Sequence, residues 1–209
     1  ITTTGPGRKR FSAFGRPSAI HAIGRAIAKI SELKTPTDPK TTFTVGTIKG
    51  GTSVNAIAEE AVMELDMRSV STQALLDLEA QALKAIKDAA VEENARWKTD
   101  KITVEIKLVG DRPAGQQPVD APIIQPALLS LRAVGLKPEL ESPGSTDSNV
   151  AISLGIPAMT IGRGGLNGDN HSVNEWWDPK GAYLGPQKTL LTILTLVGVD
   201  GVSIPVLPK

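Results

Sequence analysis

The chain has 209 residues, 40% of them hydrophobic and 22% charged, with 23 basic against 22 acidic side chains. That length suits one large domain or two small ones with a real core, and a net charge of +1 gives no electrostatic case for nucleic acid or an acidic membrane. No apolar run is long enough for a transmembrane helix and no signal peptide opens the chain; a cytoplasmic location is the expectation, with the protein's own N-terminus absent from this sequence. With no cysteine, disulfides and thiolate ligands are excluded together, and any metal must be held by histidine, carboxylate or water.

In chain order, Thr2 to Thr4 suggest a strand, broken by Gly5-Pro6-Gly7. A start on "ITTTGPG" without methionine points to a piece of something longer. After the basic loop "GRKRFSAFGR", Pro17 and Ser18 open a helix with Ile20, Ile23, Ile27 and Ile30 at helical spacing. "TTFTVGTIKG" alternates as a strand, and Gly50-Gly51 break it. In "AVMELDMRS", Met63, Leu65 and Met67 fall on one face and Glu64, Asp66 and Arg68 on the other, as in a half-buried strand. Ser71 caps a helix reaching about Asn94, with Leu75, Leu78, Leu83 and Ile86 as its apolar stripe. "KITVEIKLVG" alternates as a further strand. Strand, helix, strand, strand, helix, strand is the split βαβ, ferredoxin-like order, with both helices on one face of an antiparallel sheet.

"GDRPAGQQPVDAP" is a proline- and glycine-rich joint, giving domains 1–112 and 113–209. The second half reads as helix, short strand "KPELE", loop "SPGSTDSN", helix through Ile152, apolar strand "AMTIG", and a final helix from about Lys180 to Val199. Alternating strands and helices indicate an α/β layer with parallel strands. Two strands are too few for a stable open sheet, so this half reads as the end of a larger α/β domain.

Ligands bind at the carboxyl ends of strands in such sheets, and the loops "SPGSTDSN" and "GRGGLNGDNHS" both fall there. Ser145, Thr146, Asp147 and Ser148 stand at a helix start, where backbone N–H groups favour an anion; the plainer reading is an N-cap and turn. "GRGGLNG" lacks the Lys-Ser/Thr of a phosphate loop, and no apolar periodic helix follows it at once. His171 is a candidate metal ligand, with Glu175 or Asp169 as its orienting partner; a loop histidine bonded to backbone is the plainer alternative. The other histidine, His21, reads as a partly exposed structural residue on the first helix. No serine triad can be assembled, because there is no Gly-x-Ser-x-Gly elbow.

Taken together, "GPGRKRFSAFGRPSAIHAIGRAI", "TFTVGTIKGGTSVNAIAEEAVMELDMRS", "GDRPAG", "SPGSTDSNVAISLGIPAMTIG" and "GDNHSVNEW" resemble, in order and spacing, the dinuclear-zinc exopeptidases and amidohydrolases that include aminoacylase, glutamate carboxypeptidase and tripeptidase T. The resemblance implies a lid and dimerisation domain at 1–112, followed by the C-terminal part of a metal-binding catalytic α/β domain. It implies a homodimer through the lid that hydrolyses peptide or N-acyl-amino-acid amide bonds with two zinc ions per subunit. His171 matches the family's last metal ligand, and Asn55 an asparagine that contacts substrate. Arg68 stands near the position of an arginine for the substrate carboxylate; the alternative reading is a surface ion pair with Asp66 or Glu64. Thr146, Asp147, Gly164 and Gly165 match the substrate-pocket loops. Lys9 stands where the family's lid loop carries a histidine that donates to the developing oxyanion, a role lysine can also fill. The family's other ligands and its general base lie upstream of the lid and are not in this sequence, so the chain alone is expected to be inactive. The alternative is a non-catalytic dimerisation or ligand-binding protein derived from such a hydrolase.

Overall fold

The computed structural model describes residues 1–9, 14–140 and 144–207. It divides into two compact units, Ile1–Ala114 and Gly115–Lys209.

The first unit opens with β1 (Thr2–Thr4), β2 (Arg8–Lys9) and α1 (Ala19–Ser31). It continues with β3 (Thr41–Gly50), β4 (Ala56–Ile57), β5 (Glu60–Ser69), α2 (Thr72–Arg96) and β6 (Thr103–Glu105). The main sheet has the order β3-β5-β1-β6 with every pair antiparallel, while β2 and β4 pair separately. This is the ferredoxin-like topology the alternating strands and intervening helices predict.

In β5 the two-residue period sorts the side chains as expected: Ala61 and Met63 are buried, Leu65 and Met67 half-buried, and Glu64, Asp66 and Arg68 exposed. Directly opposed residues share a face, so Phe43, Val45 and Ile48 of β3 join Met67, Leu65 and Met63. One core cluster unites Ile23 and Ile30 of α1, Met63 of β5 and Ile86 and Ala89 of α2, which puts both helices on one face of the sheet. Small residues line the buried faces of both helices: α1 buries Ala19, Ala22 and Ala26, and α2 buries Ala82, Ala85, Ala89 and Ala90, with Ala22 and Ala90 in one cluster.

Two details differ from the sequence expectation. The isoleucine stripe of α1 is not wholly internal, because Ile20 is exposed while Ala19 and Ala22 face the core. The last strand is three residues rather than ten, since β6 pairs only along the equally short β1. Ser71 caps α2 as its position predicts, its hydroxyl accepting from the Ala74 N–H at 3.4 Å.

The second unit contains α3 (Ile124–Ala133), α4 (Ser148–Ser153), β7 (Leu166–Gly168), β8 (Trp176–Asp178) and α5 (Leu184–Val197). Here the expected parallel strands are corrected. Residues 137–140 and 158–162 carry no strand, residue 141 lies outside the described residues, and the strands present form an antiparallel hairpin, β7–β8. An extended segment becomes a strand only through a neighbour's hydrogen bonds, and among the described residues these two segments have no strand partner. No helix among the described residues is long and apolar enough to cross a membrane.

Candidate functional site

The β2–β4 ladder sets Lys9 opposite Ala56, which brings its backbone next to Asn55 in the turn that precedes β4. The Lys9 side chain lies outside the described residues. Asn55 is exposed and its Oδ1 accepts from the Ser53 hydroxyl at 2.5 Å, while the Ala56 N–H donates to the Ser53 carbonyl at 3.2 Å. The side chain is thus held by the turn.

Arg68 is at the other end of the sheet. Ala61 of β5 pairs with Gly50 at the Asn55 end, and Arg68 pairs with Thr42 at the opposite end. Seven residue steps of strand separate Ala61 from Arg68, roughly 23 Å at about 3.3 Å per residue. Within one chain, therefore, Asn55 and Arg68 do not converge on one small substrate. Arg68 donates from Nε to Asp66 Oδ2 at 2.7 Å. That hydrogen bond, reinforced by the carboxylate charge, lifts the guanidinium above its usual value.

In the second unit the loop before α4 is closed on itself. The Thr146 N–H donates to Asn149 Oδ1 at 2.9 Å, and Asn149 N–H to the Thr146 carbonyl at 3.1 Å. Thr160 brings in the later segment: its hydroxyl donates to Thr146 Oγ1 at 2.9 Å and lies 2.6 Å from Ser148 Oγ. Asp147 occupies the N-cap position of α4, with no side-chain cap bond.

Gly164 and Gly165 have φ of 90° and 77°, the left-handed region that glycine adopts at no steric cost. A Cβ on Gly164 would stand 2.6 Å from the Ala182 carbonyl oxygen, and one on Gly165 2.6 Å from that of Asp178. Trp177 locks the turn by donating from Nε1 to the Gly164 carbonyl at 3.1 Å, with Arg163 5.7 Å over its ring. These glycines are required by close backbone packing.

His171 lies on the exposed loop between β7 and β8 with φ of 66°. Glu175 holds its backbone: His171 N–H donates to Glu175 Oε2 at 3.1 Å. This bond orients the main chain of His171. Among the described residues no three His, Asp or Glu side chains stand close enough to hold a metal ion. The donors among the described residues do not by themselves fit a zinc site.

Sequence reasoning missed a highly connected polar group, Glu93. Its side chain is 0% exposed inside the first unit. It accepts from Ser18 N–H at 3.1 Å, Arg25 Nε at 3.1 Å and Trp97 Nε1 at 3.0 Å, with His21 Nδ1 3.7 Å away. Burial pushes the carboxyl up, but the hydrogen bonds from Ser18, Arg25 and Trp97, with His21 nearby, outweigh it and hold Glu93 below its ordinary value. The signal was present: Glu93 continues the buried series Ala82, Ala85, Ile86, Ala89 at helical spacing, and a carboxylate on an apolar stripe requires partners.

Residues 13–94 match the family model described as the peptidase dimerisation domain, which falls within the ferredoxin-like unit. Among solved structures, the chain is similar to the aminopeptidase PepT from Bacillus cereus, at 21% identity and a TM-score of 0.68, covering 92% of this chain and 49% of that one. A tripeptidase from Staphylococcus aureus shares 23% identity with a TM-score of 0.65, over 92% of this chain and 49% of that one. A dinuclear metal binding peptidase from Bacillus subtilis shares 18% with a TM-score of 0.58, over 92% and 48%. The chain spans about half the length of these structures. No curated protein sequence matches it.

Proposed function

We propose that this chain is part of a metal-dependent hydrolase of peptide or N-acyl-amino-acid amide bonds, with a dimerisation lid in its first unit and part of the catalytic domain in its second. The observation that carries the reading is the match of residues 13–94 to the peptidase dimerisation domain, within a unit of the same fold. The similar structures include an aminopeptidase, a tripeptidase and a dinuclear metal binding peptidase, which supports amide hydrolysis as the reaction class.

The second unit supports a longer protein by its burial pattern. In α5 the polar Lys188 and Thr192 are buried, whereas Leu190, Ile193 and Val197 are exposed. An exposed apolar helix face is a surface awaiting a partner. The segments 137–140 and 158–162 would gain strand neighbours from the same missing layer. His171 would then contribute one ligand to a metal held mainly by other residues, with Thr146, Asp147, Gly164 and Gly165 shaping the substrate pocket.

The separation of Asn55 from Arg68 fits a dimer. The strand β3 is an edge of its sheet, and Ile48, on the core face of that edge, is 54% exposed. Antiparallel pairing of β3 with the same strand of a second copy would bring the Asn55 end of one subunit toward the Arg68 end of the other. Lys9, beside Asn55, would travel with it as the oxyanion donor.

The test is to read the coding sequence upstream of Ile1 and express the whole frame. The resemblance implies that the remaining ligands and the general base come from an upstream His-x-Asp pair and Glu-Glu pair; an upstream frame carrying both, whose product releases amino acids from tripeptides or N-acyl amino acids in a chelator-sensitive way, supports the proposal. A start codon close to Ile1, with no such motifs, supports the non-catalytic binding protein instead.

A further inference from the structure

The first unit carries an open cavity of about 620 Å³ between α1 and the end of α2, lined by Phe14, Ile20, His21, Gly24, Arg25, Arg96 and Trp97. None of these is among the residues assigned above to substrate or metal. The volume falls within the range of small-molecule sites, which combine apolar walls with a few placed polar groups.

The walls are organised by the buried Glu93 beneath them. It fixes the Trp97 indole through Nε1 and Arg25 through Nε. Phe14 packs edge-on against Trp97, with ring centroids 5.7 Å apart and planes at 82°. The Arg96 guanidinium lies over the Trp97 ring, 5.0 Å from its centroid. Among the described residues Arg96 has no hydrogen bond or ion pair, and the two terminal amino groups of Arg25 have no acceptor. Two guanidinium groups against one carboxylate leave the cavity with a net positive charge even with His21 neutral. Gly24 supplies the space, since a Cβ there would meet nothing within 4 Å.

Donors without acceptors, beside a fixed aromatic edge, call for a particular chemistry. A guanidinium recognises a carboxylate through paired N–H groups, and Trp97, Phe14 and Ile20 offer apolar area to a ring. We propose that this cavity is a binding site for a small aromatic carboxylate, with Arg96 as its principal anchor and Arg25 as the second donor. The ring lies against Trp97 and Phe14, over Gly24.

The experiment uses the 209-residue chain, isotopically labelled, and follows the Trp97 indole N–H signal by NMR, assigned with Trp97→Phe. The probes are benzoate, the neutral benzyl alcohol and inorganic phosphate. The proposal predicts a saturable shift with benzoate at millimolar concentration and at least about fivefold weaker effects of benzyl alcohol and of phosphate. Arg96→Gln weakens benzoate about fivefold or more, and Arg96→Lys lies between. Gly24→Leu fills the cavity and abolishes the shift; its helical position carries no strained φ, so the fold survives, as the remaining signals verify. The proposal is overturned by no saturation with benzoate, by equal response to benzyl alcohol or to phosphate, or by unchanged affinity in either variant. It is also overturned if the Trp97 signal of the ligand-free protein moves with protein concentration, which would make this face a contact between copies.

Discussion

The backbone N–H of His171 donates to the carboxylate of Glu175 at 3.1 Å, closing a one-turn loop around a histidine with φ of 66°. Glu175 therefore stabilises a left-handed main-chain conformation that costs a non-glycine residue roughly 1 kcal/mol or more. The ring is left exposed on the loop. The carboxylate thus holds the His171 main chain, and among the described residues no three His, Asp or Glu side chains stand close enough to hold a metal ion.

The isolated chain should accordingly retain no tight zinc. After dialysis against metal-free buffer, elemental analysis is expected to find far less than one zinc per chain, and His171→Ala should not change that figure. Near-stoichiometric zinc lost in the variant would show that the chain builds a site of its own. Glu175→Ala should speed hydrogen exchange at the His171 amide, and Glu175→Gln, which keeps an acceptor, should do so less.

Removing the Glu93 carboxylate should destabilise the first unit. Glu93→Ala strips partners from Ser18, Arg25 and Trp97 and leaves a cavity; because Arg25 is partly solvated, a loss of about 3 kcal/mol is expected in urea unfolding. The folded carboxyl lies below its ordinary value. Its stabilising contribution is therefore complete above the unfolded-state value and is lost as pH falls through the folded one. Acid should narrow the gap between wild type and Glu93→Gln; a gap that widens in acid would reverse the sign assigned here.

What could be read in the sequence followed from local periodicity. Met63 to Arg68 could be assigned to a strand with two faces because alternation alone decides it, and Ser71 to a cap because the side chain bonds within its own turn. The face of α1 was harder: four isoleucines draw the eye, but the buried face takes in Ala19, Ala22 and Ala26 and leaves Ile20 outside. The segments 137–140 and 158–162 have the composition of strands but no strand partners among the described residues, a property no local pattern encodes. At the candidate site, the sequence offers residue types, whereas the distance between Asn55 and Arg68 follows from the strand register. Glu93 itself stands on the apolar stripe of α2, where its need for partners is legible, but the partners Ser18, Arg25 and His21 come from a distant segment and are not.

Gly164→Ala should destabilise the second unit by more than about 1 kcal/mol, since a positive φ coincides with a Cβ only 2.6 Å from the Ala182 carbonyl. Thermal unfolding followed through tryptophan fluorescence reads this directly. A variant as stable as wild type would mean that the turn around Trp177 can rearrange.

The central claim, that the first unit is a working dimerisation domain, is tested most directly by light scattering on the 209-residue chain at tens of micromolar, alongside Ile48→Glu. The claim predicts a mass twice the 22.0 kDa of the chain for wild type and a monomer for the variant, whose new charge desolvates unfavourably at the open β3 edge. A monomeric wild type, or a dimer that Ile48→Glu leaves intact, would contradict it.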